Sequence, residues 1–124
     1  MGLSFGYGPR NSDVENQKFL THAADNGCTF WDTADIYGYG CNEGSLPRCF
    51  ALTGEMVGTW FKNTGRRNEI FLATKFGHSL DGKHTLSGKP EYVKKASVDS
   101  LKRLGMDRID LYYLHRYSFF GVLS

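Results

Sequence analysis

The sequence has no uninterrupted apolar run of about 20 residues, so it predicts no transmembrane helix. Its first ten residues lack a basic segment followed by an apolar one, which argues against a secretory signal peptide. Only three residues are cysteine (Cys28, Cys41 and Cys49), and no two have C-x-x-C spacing. This pattern predicts neither a disulfide framework nor a zinc site, and it favours a cytoplasmic protein with free thiols.

Charge and nucleotide-binding motifs are also sparse. The net charge of +2 is too small to indicate a nucleic-acid or anionic-membrane partner. Gly38-Tyr39-Gly40 lacks the third glycine of G-x-G-x-x-G, and the sequence contains no G-K-S or G-K-T. A Rossmann phosphate loop and a P-loop are therefore not expected.

Three segments carry helix signals. Ser12 and Glu15 form a capping box, which predicts a helix that begins there and ends near Gly27. A second helix is predicted over residues 55–62. A third is predicted from Pro90 to Gly105, because proline is favoured in a first helical turn and glycine after the last one. The expected buried residues are Val14, Phe19, Leu20, Ala23 and Ala24 in the first helix and Val93, Ala96, Leu101 and Leu104 in the third.

Three short apolar runs alternate with these helices and predict buried strands at residues 28–31, 70–74 and 109–114. Such alternation predicts an α/β fold with a parallel sheet covered by helices, either a doubly wound sheet or a (β/α)8 barrel. The three strands end at Asp32, Lys75 and His115. One polar ending is unremarkable, but three of complementary chemistry favour a barrel, where the carboxyl ends of the strands converge on one site.

These residues suggest a carbonyl-reducing site. Tyr37 follows Asp32 in the next loop, and a nearby ammonium such as that of Lys75 would help its phenol to give up a proton. Asp32 would keep Lys75 charged, and His115 would hold the substrate oxygen. The hydride would have to come from a nicotinamide or a flavin, since no side chain supplies one. The other loop histidines, His78 and His84, are predicted to be solvated.

The string FWDTADIYG at residues 30–38 resembles the DTA-x-x-YG signature of the aldo-keto reductases. Further blocks similar to the family follow in the family's order. They are Asn42-Glu43 and residues 57–62, 73–75, 101–105 and 110–116. The resemblance spans residues 1–116, and the joint pattern is specific.

This resemblance implies a TIM-barrel enzyme that reduces small aldehydes or ketones with NADPH. It assigns the catalytic roles to Asp32, Tyr37, Lys75 and His115, with Asp32 also binding the cofactor. A complete (β/α)8 barrel typically needs roughly 250 residues. We therefore expect residues 1–124 to form a single partial domain, roughly the first half of a barrel, without most of the NADPH site. On its own, this chain is expected to be inactive.

The sequence departs from the family pattern in three places. Most of the first barrel strand is missing before residues 1–4, residues 44–54 interrupt a family block, and residues 117–124 match nothing in the family. These departures suggest a truncated or mis-spliced gene product. Two other readings stay open: a non-catalytic binding or regulatory module of aldo-keto-reductase type, and an inert gene product.

Overall fold

The computed structural model describes residues 12–37, 52–78 and 86–115. Within these ranges the chain forms helices and parallel strands in alternation. The helices are α1 (Asp13–Asp25), α2 (Leu52–Thr64), a short 3-10 helix (Arg67–Glu69) and α3 (Pro90–Leu104), and the strands are β1 (Phe30–Asp32), β2 (Phe71–Phe76) and β3 (Leu111–Leu114). No helix in the described part of the chain is long and apolar enough to span a membrane.

Helix α1 begins and ends as the sequence predicts. The Ser12 hydroxyl accepts a hydrogen bond from the Glu15 N–H at 3.3 Å, and the Glu15 carboxylate accepts one from the Ser12 N–H at 2.8 Å. The helix ends before Gly27, which has a φ of +79°. This is a left-handed conformation that glycine adopts at little cost.

The buried face of α1 is narrower than predicted. Leu20 and Ala24 are buried as expected, but Val14 is 64% exposed and Phe19 is 49% exposed. The third buried residue is Asn16, so the buried positions are spaced four apart along the helix. Val14 and Phe19 lie outside this narrow buried stripe of α1. The prediction of burial for these two residues was wrong.

Helices α2 and α3 also lie close to their predicted positions. α2 begins at Leu52, three residues earlier than expected, so it starts within the predicted insertion 44–54. α3 begins with Pro90 and is capped by Gly105 at a φ of +64°, as the sequence indicates. Residues 44–51 of the insertion, the tail 117–124 and residues 1–4 lie outside the described residues, so their status stays a prediction.

The three strands form one parallel sheet in the order β1-β2-β3. Asp32 pairs with Ala73, and Lys75 pairs with Tyr113. Side chains alternate between the two faces of a sheet, so this register places Asp32, Lys75 and Tyr113 on one face. Parallel neighbours in chain order, joined by helices, are what successive units of a (β/α)8 barrel produce.

Only one face of this sheet is covered by the helices. Trp31 and Leu72 point towards them and are 2% and 0% exposed. On the opposite face Phe30 is 61% exposed and stacks on Phe71 with ring centroids 5.2 Å apart. The prediction of buried strands was therefore wrong at Phe30 and Phe71 on this face, which corresponds to the inner face of a barrel, whereas Ala73 on the same face is buried as predicted. Cys28, predicted to open the first strand, is exposed and precedes it.

The core lies between the covered face of the sheet and the helices. Its buried members are Leu20, Ala24, Trp31, Met56, Val57, Trp60, Phe61, Ile70, Leu72 and Leu104. α2 lies close against the end of α3 at Gly58, where a Cβ would lie 2.3 Å from the Leu104 carbonyl oxygen. Burial of each large apolar side chain contributes about 1.5–3 kcal/mol, so this cluster holds the helices against the sheet.

An ion pair joins the strands at the end of the sheet opposite the predicted site. One Asp110 carboxylate oxygen accepts hydrogen bonds from the Arg67 guanidinium at 2.7 Å and from the Leu72 N–H at 2.8 Å. Burial opposes ionisation of Asp110, but these bonds and the charge of Arg67 outweigh it and lower its pKa. The pair fixes the start of β3 beside β2, and with it the register that brings the polar strand ends together.

Candidate active site

Asp32 and Lys75 form an ion pair at the carboxyl ends of β1 and β2. The Lys75 ammonium donates a hydrogen bond to one Asp32 carboxylate oxygen, and the Tyr113 hydroxyl donates one to the other at 2.9 Å. The Lys75 side chain is only 6% exposed, against 33% for Asp32. Burial alone would lower the pKa of Lys75. The hydrogen bond and charge of Asp32, with a smaller contribution from Tyr37, outweigh burial and raise the pKa, so Lys75 stays an ammonium.

The turn that follows β1 brings Tyr37 close to the Asp32–Lys75 ion pair. The Asp35 N–H donates to the Lys75 carbonyl at 3.1 Å, and the Tyr37 N–H donates to the Ala34 carbonyl at 3.2 Å. These bonds bring the Tyr37 ring over the end of β2. The Lys75 Nζ atom lies 4.9 Å from the centroid of that ring.

His115 completes the group from the end of β3. Its N–H donates to the Phe76 carbonyl at 2.7 Å, which continues the β2–β3 pairing by one residue. Its ring meets the Tyr37 ring edge-on, with centroids 5.5 Å apart and planes at 86°. All four side chains singled out from the sequence therefore lie at one edge of the sheet, and the Tyr37 ring contacts both the Lys75 ammonium and the His115 imidazole.

Two further residues of this edge were missed by the sequence analysis. Tyr113 is bonded to Asp32, and its position two residues before His115 was a usable signal, because residues two apart share a strand face. His78 was predicted to be solvated, but it is half-buried, and its ring lies 5.3 Å from that of His115. That contact depends on how the chain folds after β2, which no local pattern indicated. His84 lies outside the described residues.

A buried carboxyl lies beside the site. Asp35 is 6% exposed, although it is only two residues from Tyr37. Burial raises its pKa to about 6, against the opposing positive charge of Arg103 on α3. Within the described residues there is no group of three or more His, Cys, Asp or Glu side chains that could hold a metal ion.

The chain matches known proteins over nearly its full length. The model of the aldo/keto reductase family matches residues 1–119, which extends three residues into the predicted tail. The aldo-keto reductase yakc of Schizosaccharomyces pombe, whose name includes NADP(+), is 54% identical over 121 residues, or 95% of this chain and 32% of that protein. The aldo-keto reductase str7 of Strobilurus tenacellus is 45% identical over 116 residues, or 94% of this chain and 30% of that protein. The chain thus spans about a third of the length of the curated relatives it matches.

Solved structures share the fold. An aldo-keto reductase of Bacillus halodurans in its holo form is similar with a TM-score of 0.69 at 33% identity, covering 94% of this chain and 34% of that one. A protein of Pseudomonas aeruginosa assigned to the aldo-keto reductases is similar with a TM-score of 0.72 at 26% identity, covering 94% and 41%. Together with the parallel sheet, these likenesses confirm a partial (β/α)8 barrel. This chain belongs to the aldo-keto reductase family.

Proposed function

We propose that this chain supplies the catalytic residues of an NADPH-dependent oxidoreductase that reduces a small aldehyde or ketone. The observation that carries the proposal is the position of Tyr37, whose ring lies against both the Lys75 ammonium and the His115 imidazole. A proton donor, a fixed positive charge and a hydrogen-bonding ring at one point suit the reduction of a carbonyl group.

Lys75 and Asp32 prepare the proton donor. The Asp32 carboxylate keeps Lys75 protonated in a largely buried position, and the ammonium stabilises negative charge that develops on the Tyr37 oxygen. Tyr37 donates its proton to the carbonyl oxygen as that oxygen gains charge. Positioned general acids of this kind contribute typically 10²- to 10⁴-fold to a rate.

His115 holds the substrate. An imidazole next to the Tyr37 ring hydrogen-bonds the carbonyl oxygen within reach of the phenol, which fixes the reacting geometry. The open face of the sheet leaves this edge accessible, since Asp32 and Tyr113 both keep part of their surface exposed. We therefore place the substrate at this edge.

The residues present fit a nicotinamide cofactor in part. Asp32 offers a partly exposed carboxylate, which suits the hydroxyl groups of a ribose, and it would hold the cofactor beside Tyr37. NADPH supplies a hydride to the carbonyl carbon when it is bound. The NADP(+) in the name of yakc supports the choice of cofactor.

Three finer features belong to this proposal. Residues 1–124 act as one partial domain in which 44–54 is an insertion and 117–124 a tail that the family model matches only as far as residue 119. The protein is cytoplasmic, as its exposed Cys28 thiol suits a reducing compartment. Because the chain spans about a third of its relatives' length, it does not turn over a substrate unaided.

A chimera tests the proposal. Residues 12–115 replace the matching segment of yakc, and the chimera is assayed for NADPH oxidation with 4-nitrobenzaldehyde. We expect turnover, and we expect Tyr37→Phe in the chimera to lower kcat at least about 100-fold while NADPH binding, followed by protein fluorescence, is kept. The unaided chain is assayed in parallel and should be inactive.

Any other result of the chimera assay contradicts a specific part of the proposal. A chimera that binds NADPH without turnover favours the non-catalytic module. A Tyr37→Phe chimera with unchanged kcat contradicts the role of the phenol. Turnover by the unaided chain contradicts its proposed inactivity.

A further inference from the structure

The imidazole of His115 contacts two other rings. Tyr37 meets it edge-on with centroids 5.5 Å apart, and His78 meets it with centroids 5.3 Å apart and planes at 82°. Ring pairs at this distance favour edge-to-face geometry, so each contact favours one orientation of the His115 ring. The orientation of His115 therefore depends on where both neighbours are held.

The chain turns sharply to place His78. Gly77 has a φ of +132°, a conformation that side chains rarely adopt, and a Cβ there would lie 3.0 Å from a methyl carbon of Leu114. The Gly77 carbonyl accepts a hydrogen bond from the Ser87 N–H at 2.8 Å. A glycine is thus required at the point where the chain turns after β2 and brings residue 78 to His115.

Two other contacts fix the main chain at residue 78. It forms an isolated antiparallel bridge with Leu86, and its carbonyl accepts a hydrogen bond from the Tyr92 hydroxyl at 2.6 Å. Tyr92 lies in the first turn of α3, so the main chain at residue 78 is tied to that helix. These contacts hold the main chain of residue 78 in the position that brings its ring to His115.

We propose that His78 is a positioning residue, which holds the ring of His115 beside the Tyr37 phenol. In the neutral form of an imidazole one ring nitrogen donates and the other accepts, and both lie in the ring plane. A rotated ring would aim its N–H away from the carbonyl oxygen. The inference rests on the proposed function, which assigns the substrate oxygen to His115; His78 itself touches no reacting atom.

Solution NMR of the chain, without cofactor or substrate, tests the placement. Cross-relaxation between the ring protons of Tyr37 and His115 is measured in the wild type, in His78→Ala and in His78→Phe, which keeps a flat ring. His22→Ala is the matched control, since His22 is an exposed histidine on α1. We expect the Tyr37–His115 cross-peaks to be lost in His78→Ala and kept in His78→Phe and His22→Ala.

Cross-peaks as strong in His78→Ala as in His22→Ala would overturn the inference. Should circular dichroism show His78→Ala to be unfolded, His78→Asn replaces it under the same criterion, because asparagine is polar and lacks a ring. Loss of the cross-peaks in His78→Phe as well would also overturn it, since the ring would then not be what holds His115. These signals need no turnover, so a failed chimera assay and a failed inference are distinguishable.

Discussion

The Lys75 ammonium and the Asp32 carboxylate are in direct contact although they are 43 positions apart in the sequence. The contact follows from the parallel pairing of β1 with β2, which aligns Asp32 with Ala73 and leaves Lys75 two residues further on the same face. Because the Lys75 side chain is 6% exposed, its charge depends on this partner.

Removal of Asp32 should therefore destabilise the fold. Asp32→Ala leaves a buried ammonium without its carboxylate, and breaking a buried pair in this way costs about 3 kcal/mol. Lys75→Met in the same chain should restore part of the loss. The measurement is the free energy of unfolding in urea.

The exposed pair Lys95–Asp99 on α3 is the control for this prediction, with side chains 78% and 34% exposed. Asp99→Ala should change stability by less than about 1 kcal/mol. Equal losses in Asp32→Ala and Asp99→Ala would show that burial of Lys75 has no energetic consequence.

Asp35 should make stability depend on pH. Burial raises its pKa from 3.8 to about 6, so the folded protein takes up a proton at a higher pH than the unfolded chain does. The ionised carboxyl opposes folding most above its folded pKa of about 6. This cost in folding free energy shrinks as the pH falls from about 6 and is gone below the unfolded pKa of 3.8. Asp35→Asn should therefore be more stable than the wild type at about pH 7.5, with a smaller difference at about pH 5.

Asp107→Asn, at an exposed position after α3, is the matched control. Because this side chain is exposed, its difference from the wild type should change less between the two pH values than that of Asp35→Asn. A constant difference for Asp35→Asn would contradict the burial account.

Gly58 should tolerate no side chain. In Gly58→Ala the new Cβ would lie 2.3 Å from the Leu104 carbonyl oxygen, which is backbone and can yield only if α2 and α3 separate. We expect a loss of about 1–3 kcal/mol in urea unfolding. Gly88→Ala, where a Cβ meets nothing within 4 Å, should change stability by less than about 0.5 kcal/mol. Two equally stable variants would argue against this close helix contact.

The open face of the sheet should affect solubility more than stability. Phe30 is 61% exposed, so Phe30→Thr should reduce aggregation, measured by light scattering, and change the unfolding free energy little. Leu72→Ala, on the covered face, should instead cost about 2–5 kcal/mol. Unchanged aggregation in Phe30→Thr would mean that this face does not cause self-association.

The sequence predicts element order well because caps and apolar runs are local signals. Ser12, Glu15 and Gly105 act as expected, and strand endings placed Asp32, Lys75 and His115 correctly at one edge. Exposure was predicted less well. Phe30 looks like a core residue in sequence, but it lies on the face of the sheet that the described helices do not cover. The sequence predicted a solvated His78, because no local pattern shows that the turn at Gly77 and the contacts with Leu86 and Tyr92 bring this residue to the site.

The central claim is that Tyr37 gives its proton to the substrate. The most direct test replaces Tyr37 in the chimera with a fluorinated tyrosine, whose phenol is more acidic, and follows kcat against pH. If the phenol is the general acid, the alkaline limb of the profile moves to lower pH by the amount that fluorination changes the free amino acid. A profile that keeps its position would contradict the account.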